Sequence, residues 1–228
     1  MNLLKDLFHL FYPNLCATCH QQLLQNESVI CTICRHDLPL THITDFTQNK
    51  IIDAFYGKVI IEKAFALLFY RKNNITKKLI EELKYKGNEE IGILFGDWLG
   101  ELLKENKEFN DIDYIIPVPL HKKRLKERGY NQVTKFGQTL SNHLKKPLVE
   151  NKLIRVSATK TQTLKTRFER FRNNDTKFLL TDIDFFKNKH ILLIDDVITT
   201  GATLEACARE FLNSKDCKIS VLTIAYTE

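Results

Sequence analysis

The string Ile191-Leu-Leu-Ile-Asp-Asp-Val-Ile-Thr-Thr-Gly-Ala-Thr-Leu204 places two adjacent carboxylates, Asp195 and Asp196, at the end of an apolar run. A short loop follows, Thr199, Thr200, Gly201, Ala202 and Thr203, and then Leu204, Cys207 and Phe211 recur at helical spacing. A strand, a loop and a helix in this order aim backbone N–H groups and hydroxyls at an anion, and the helix dipole adds to the attraction. Gly201 lets the backbone come close. Two carboxylates would repel a bare phosphate, but each accepts hydroxyl protons well. A sugar phosphate, with a diol at one end and an anion at the other, satisfies both halves of the string. The alternative without a ligand is a plain strand–turn–helix crossover with an Asp-capped loop.

A second group of residues could do chemistry of another kind. Cys16-Ala-Thr-Cys19 and Cys31-Thr-Ile-Cys34 are two C-x2-C knuckles close together. Each offers two thiolates from one tight turn, and the pair completes the tetrahedral set that Zn²⁺ takes. His20 and His36 stand beside them as possible substitutes. Two disulfides are the alternative, disfavoured in a reducing compartment. A structural zinc would fasten a module with too few apolar residues to fold alone. Cys207 and Cys217 lack metal-like spacing, and Cys207 belongs to an apolar helical face.

The elements that must position these groups are legible. Residues 1–40 form the module: a short amphipathic helix (Leu3, Leu4, Leu7, Phe8, Phe11), the knuckles, then Leu38-Pro39-Leu40. Residues 41–57 read as a polar linker and 58–228 as the main domain. Within it, 58–71 suits a strand or hairpin. Ile75, Leu79, Ile80 and Leu83 mark a helix closed by Gly87, and Ile91 to Leu103 a stronger one opened by Asn88 with Glu89 and Glu90 in its first turn. Strands are expected at 112–118, 148–154, 191–196 and 218–226, and helices at 130–144 and 203–212. Alternation of this kind gives a mostly parallel sheet covered on both faces.

Composition bounds the function. With 228 residues, 43% apolar and 27% charged, the chain can bury a proper core. Its apolar runs fall well short of the about 20 residues that cross a membrane, so no membrane insertion is expected. Met1–Tyr12 carries Lys5 and Asp6 with no small-residue cleavage site, which reads as cytoplasmic rather than secreted. The net charge of +6 matters through its location. His121–Lys135 holds Lys122, Lys123, Arg124, Lys126, Arg128 and Lys135 against Glu127, and seven Lys and Arg fall within Arg155–Lys177. Tyr130, Phe168 and Phe171 interleave with them. Cations and aromatics together suit a single-stranded polyanion that stacks its bases. A solvated basic helix face with core aromatics is the plainer reading. Lys84, Tyr85 and Lys86 before Gly87 extend the patch.

The Asp195–Thr203 string resembles the phosphoribosyl pyrophosphate (PRPP) loop of type I phosphoribosyltransferases. Ile115-Ile-Pro-Val-Pro-Leu120 is similar to the strand and pyrophosphate loop of amidophosphoribosyltransferase-type domains. Gln162, Arg167, Arg170, Arg172 and Asn173, ahead of Phe178, are similar to their mobile active-site loop. The full order of zinc module, Pro-Val-Pro-Leu-His, Arg128-Gly-Tyr-Asn-Gln132 and Asp-Asp-Val-Ile-Thr-Thr-Gly-Ala-Thr resembles the ComF competence family over nearly the whole chain. The resemblance implies an α/β fold, a type I phosphoribosyltransferase-like, mostly parallel sheet with flanking helices, preceded by the four-cysteine module.

It also implies residue roles. Asp195 and Asp196 would hold ribose hydroxyls, residues Thr199, Thr200, Gly201, Ala202 and Thr203 the 5′-phosphate, and Pro117, Val118, Pro119 and Leu120 the pyrophosphate with Mg²⁺. If transfer occurs, Asp195, Asp196, Lys160, Arg167 and Arg170 are the catalytic candidates. Lys122, Arg124, Arg128, Tyr130 and Arg170 are the candidates for single-stranded DNA, and a ComF-type helicase is a possible partner in DNA uptake. The alternative is a metabolic phosphoribosyltransferase that moves ribose 5-phosphate from PRPP to a base or amine. That reaction needs an acceptor pocket above the sugar.

Overall fold

A computed structural model describes residues 13–156 and 178–228. Four parallel strands form its sheet in the order β1-β6-β5-β2, with β1 at Ala64–Phe69, β2 at Tyr114–Pro117, β5 at His190–Ile198 and β6 at Lys218–Tyr226. The two central strands are apolar on both sides and buried along nearly their whole length, as a sheet covered on both faces requires. Side chains alternate across the sheet. Leu192 and Ile194 therefore join one core, and Ile191 and Leu193 the other.

Helices α3 (Ile75–Tyr85), α4 (Glu90–Lys104) and α6 (Thr134–Leu144) cover the first face. Helix α7 (Ala202–Phe211) and a short antiparallel pair, β3 (Leu153–Arg155) with β4 (Phe178–Leu180), cover the second. Contact between α4 and α6 is close because Gly96 has no side chain: a Cβ there would sit 2.6 Å from Thr139 Cβ. That approach fixes the start of α6, where Gln132 lies. Isolated bridges, Leu40 to Leu68 and Ile115 to Leu148, lie against the two outer strands and blunt the sheet edges.

The observed elements differ from the expected ones at informative places. Helix α4 begins at Glu90 without a side-chain cap from Asn88. The helix expected from Tyr130 starts at Thr134, because Gly129 is left-handed (φ 79°) and ends a separate helix, α5 (Lys122–Arg128). The strand expected over 148–154 divides: Leu148 bridges to β2, while Leu153–Arg155 turns away to pair with β4. Residues 41–57 carry Phe46, Ile51 and Phe55 into the core. Thr41 donates to the carbonyl of Ala66 on β1 (2.6 Å), and a four-residue helix, α2 (Lys50–Asp53), which follows α1 (Thr32–His36) of the cysteine module, is capped by Asn49. Polar composition there serves caps and turns rather than a free linker. The amphipathic helix expected before Tyr12 lies outside the described residues. Among the described residues no helix is long and apolar enough to cross a membrane.

Candidate functional site

The C-terminal ends of β2 and β5 meet side by side. Pro117 pairs with Ile194, and the Val118 N–H donates to the Ile194 carbonyl (2.9 Å). Residues Pro117, Val118, Pro119 and Leu120 therefore lie against the start of the Asp195–Asp196 pair. The Asn131 side chain donates to the Val118 carbonyl (3.1 Å) and holds the turn. Past β5, Thr199 and Thr200 are exposed, and Gly201 takes φ 75° at the start of α7 with no side-chain cap. Of the first-turn N–H groups of α7, that of Ala202 donates to the Thr200 hydroxyl (3.4 Å), and those of Thr203 and Leu204 are left for an incoming acceptor. A small cavity of about 30 Å³ is lined by Asp195, Val197 and residues Ile198 to Leu204. Phe55 backs it, 3.3 Å from where a Cβ of Gly201 would stand.

The two carboxylates part company here. Asp195 points to the α7 face and lines the loop cavity. It accepts from the Asp196 N–H (2.8 Å). Burial, and then the neighbouring Asp196 charge, push its acid up to about 8. Asp196 points to the other face and is buried. Its oxygens are taken by the Lys84 ammonium (2.8 Å) and the Gln132 amide (2.7 Å). Gln132 in turn accepts from Arg128 (2.7 Å), whose guanidinium lies over the Tyr85 ring at 5.0 Å. Sequence reading missed this chain of contacts. Lys84 was visible only as an extension of a basic patch, and Gln132 only as a member of the Arg128–Gln132 motif.

Helix α5 carries the first basic run. None of its residues is buried, and His121 caps it by accepting from the Lys123 N–H (3.2 Å). Arg124, Arg128 and Tyr130 line a cavity of about 220 Å³ with Lys84, Tyr85 and Glu127, while Lys122 is exposed on the same helix. The Tyr130 hydroxyl donates to the Leu83 carbonyl, and burial raises its pKa. Three of the five nucleic-acid candidates thus share one cavity. Lys160, Arg167 and Arg170, together with Phe168 and Phe171, lie outside the described residues.

Cys16, Cys19, Cys31 and Cys34 converge until all their sulfurs lie within 4.8 Å of one another. No disulfide joins them. Tetrahedral zinc with bonds of about 2.3 Å sets its sulfurs roughly 3.8 Å apart, and Cys19 and Cys31 stand at 3.8 Å. Backbone N–H groups also point at sulfur: Cys31 to Cys16 (3.3 Å) and Cys34 to Cys31 (3.5 Å). Burial disfavours the Cys16 thiolate, but hydrogen bonds from the Cys19 backbone and the Thr18 hydroxyl bring it down to about 6. The donor set fits a structural zinc, and neither His20 nor His36 belongs to the cluster. This module sits on the first face, with Arg35 over the Trp98 ring (4.9 Å) and Lys78 donating to the Thr18 carbonyl (3.4 Å).

Comparison with known proteins agrees with this geometry. Residues 134–227 match the phosphoribosyl transferase domain model. Competence protein ComFC of Bacillus subtilis (strain 168) is 27% identical over 217 residues, covering 92% of this chain and 82% of that protein. The chain is thus similar over nearly its whole length to a ComF-type competence protein. Other relatives match over shorter spans. Competence protein F of Haemophilus influenzae is 40% identical over 96 residues, 42% of each chain. DNA utilization protein YhgH of Escherichia coli O157:H7 is 32% identical over 115 residues, half of each chain. The fold is that of a phosphoribosyltransferase-type sheet with flanking helices, joined to a four-cysteine cluster.

Proposed function

We infer that this chain binds PRPP at the C-terminal edge of its sheet and handles single-stranded DNA during DNA uptake in the cytoplasm. The observation that carries the reading is the junction at Asp195 and Asp196. One carboxylate faces an uncapped helix N-terminus that suits a sugar phosphate. The other is buried and pairs with Lys84, which lines a cavity of three cations and two tyrosines that suits a strand. Relatives named for competence and for DNA utilization support the setting.

PRPP would place its 5′-phosphate on residues 199–203, its ribose hydroxyls on the carboxylates and its pyrophosphate by Pro117–Leu120. Mg²⁺ suits this oxygen-rich corner, where Asp195 is the more accessible carboxylate, and it would supply charge neutralisation for the pyrophosphate. The cysteine cluster would hold one Zn²⁺ per chain, which metal analysis of freshly reduced protein checks directly. A helicase of the uptake machinery is a fitting partner.

Titration of a fluorescent oligothymidylate with the full chain tests the reading. Affinity should fall with salt at a slope of about −0.7 per phosphate neutralised, and Arg124→Ala with Arg128→Ala should flatten that slope. Calorimetry should show PRPP binding in the same protein. No oligonucleotide binding at low salt, together with pyrophosphate release from PRPP on adding a free base, would favour the metabolic transferase instead. Its acceptor pocket would then draw on the Phe55–Tyr56 segment beside Gly201, where Tyr56 is exposed.

A further inference from the structure

Lys84 answers to two sites at once. It pairs with Asp196 at 2.8 Å, and it also lines the cavity of Tyr85, Arg124, Arg128 and Tyr130. The Asp196 side chain is only 4% exposed while that of Lys84 is 23% exposed, so the lysine can turn outward and the carboxylate cannot. The second oxygen of Asp196 is held by Gln132, and Gln132 by Arg128, another cation of the cavity wall. Two of the three cations lining the cavity are therefore committed to Asp196, one directly and one through an amide. Arg124 makes no ion pair with any described residue. The cavity, at about 220 Å³, is smaller than the roughly 300–1,000 Å³ of sites for drug-sized ligands, and suits one phosphate-bearing unit of a strand.

A phosphate entering this cavity meets Arg124 first and then competes with Asp196 for Lys84. Drawing Lys84 away leaves Asp196 as a buried carboxylate short of a partner, which is costly on its own. Hydroxyl donors of a sugar at the neighbouring strand end remove that cost, because they give the freed oxygen new hydrogen bonds. The reverse also holds: a sugar diol on Asp196 releases Lys84 towards the cavity. We propose that Lys84 is an exchangeable counter-ion, a positioning residue that pairs with Asp196 in the free protein and with a strand phosphate when a sugar occupies Asp196, so that PRPP and single-stranded DNA bind with positive coupling.

This exchange rests on the PRPP and DNA reading above. Thermodynamic reciprocity requires each ligand to tighten the other by the same factor. The test is anisotropy of a labelled oligothymidylate with and without saturating PRPP, matched by calorimetry of PRPP with and without the oligothymidylate. The expected result is mutual tightening of about fivefold or more. In Lys84→Met the factor should collapse to one, and in Lys84→Arg it should survive. Should Lys84→Met fold poorly around its uncompensated carboxylate, Lys84→Gln, which still offers Asp196 an N–H donor but brings no charge to a phosphate, keeps the test open and should also show no coupling. Both ligands binding the wild-type chain independently, or weakening one another, would overturn the exchange and leave the proposed function standing. Coupling that persists in Lys84→Met would do the same. Failure of either ligand to bind the wild-type chain at all would remove both.

Discussion

The two ends of β5 carry similar chemistry and opposite fates. At its N-terminal end His190 accepts or donates on both ring nitrogens, to Asp111 (2.9 Å) and to the Ser220 hydroxyl (2.8 Å). Lys63 completes Asp111 (2.9 Å), and the His190 N–H donates to Asp113 (2.8 Å). By residue type and distance this is the serine–histidine–aspartate arrangement of hydrolases. Ser220, however, is fully buried inside β6, so no substrate can reach its oxygen. Every polar group there is answered from within, and the network holds β5, β6 and the turn before β2 together. At the C-terminal end, Asp195 is only partly buried and lines a cavity, α7 has no side-chain cap on Gly201, and the cations of one cavity lack enough acids to match them. Residue types alone do not separate the two ends. Access and unspent hydrogen-bonding capacity do.

The strongest way to sharpen the contrast is to neutralise one group at each end and measure PRPP. Above a pH of about 8, where Asp195 is ionised, Asp195→Asn should weaken PRPP binding roughly a hundredfold, since charge-assisted hydrogen bonds are worth about 1.5–3 kcal/mol each. Ser220→Ala should leave that affinity unchanged in the same calorimeter. An equal loss in both variants would erase the distinction.

Stability should respond the other way round. His190→Ala leaves the Ser220 hydroxyl buried without its partner, and removes the ring that Asp111 holds. Urea unfolding should show a loss of about 2–3 kcal/mol, with PRPP affinity intact. Asp195→Asn should be neutral or stabilising near neutral pH, because it removes a carboxylate that burial already disfavours.

Acidity should separate the ends by sign. Burial, against the pull of Asp111, lowers the His190 pKa below 6.5. The folded protein then binds fewer protons than the unfolded chain, so this end loses stability as pH falls below 6.5. Asp195 is raised from 3.8 to about 8. Here the folded protein binds more protons, so its contribution is full below 3.8 and is lost as pH rises through about 8. Unfolding free energies of the wild-type chain and of each variant across this range check the two slopes: His190→Ala should remove the rising one and Asp195→Asn the falling one.

The smallest effect belongs to the loop itself. Gly201→Ala puts a side chain at φ 75° and a Cβ 3.3 Å from the Phe55 ring. A cost of about 1 kcal/mol in stability is expected, with a modest loss of PRPP affinity as the N–H groups shift. An unchanged melting midpoint would show that Phe55 yields.

What the sequence disclosed was local. The Asp195–Thr203 string, the four knuckle cysteines and β6 are continuous patterns whose chemistry and periodicity sit within a few residues. What it hid was assembled by folding. Lys84 and Asp196 come from α3 and β5, and their pairing depends on which face of the sheet each carboxylate takes. His190, Asp111 and Ser220 carry no spacing that announces a network. Phe46 and Phe55 were masked by polar neighbours that turned out to cap turns. The helix from Tyr130 was placed early because Gly129 reads as compatible with a continuing helix until its left-handed φ is known.

The strand order has a kinetic consequence. Both outer strands, β1 and β2, precede both central strands, β5 and β6, in the chain, so during synthesis neither outer strand can find its sheet partner until much of the polypeptide has emerged. Contacts of this long range make folding slow and leave apolar strands uncovered meanwhile. The bridges from Leu40 to β1 and from Leu148 to β2 join segments nearer in sequence. They cover the outer edge of each waiting strand, so that only its inward edge is open to wrong pairing before the centre of the sheet arrives.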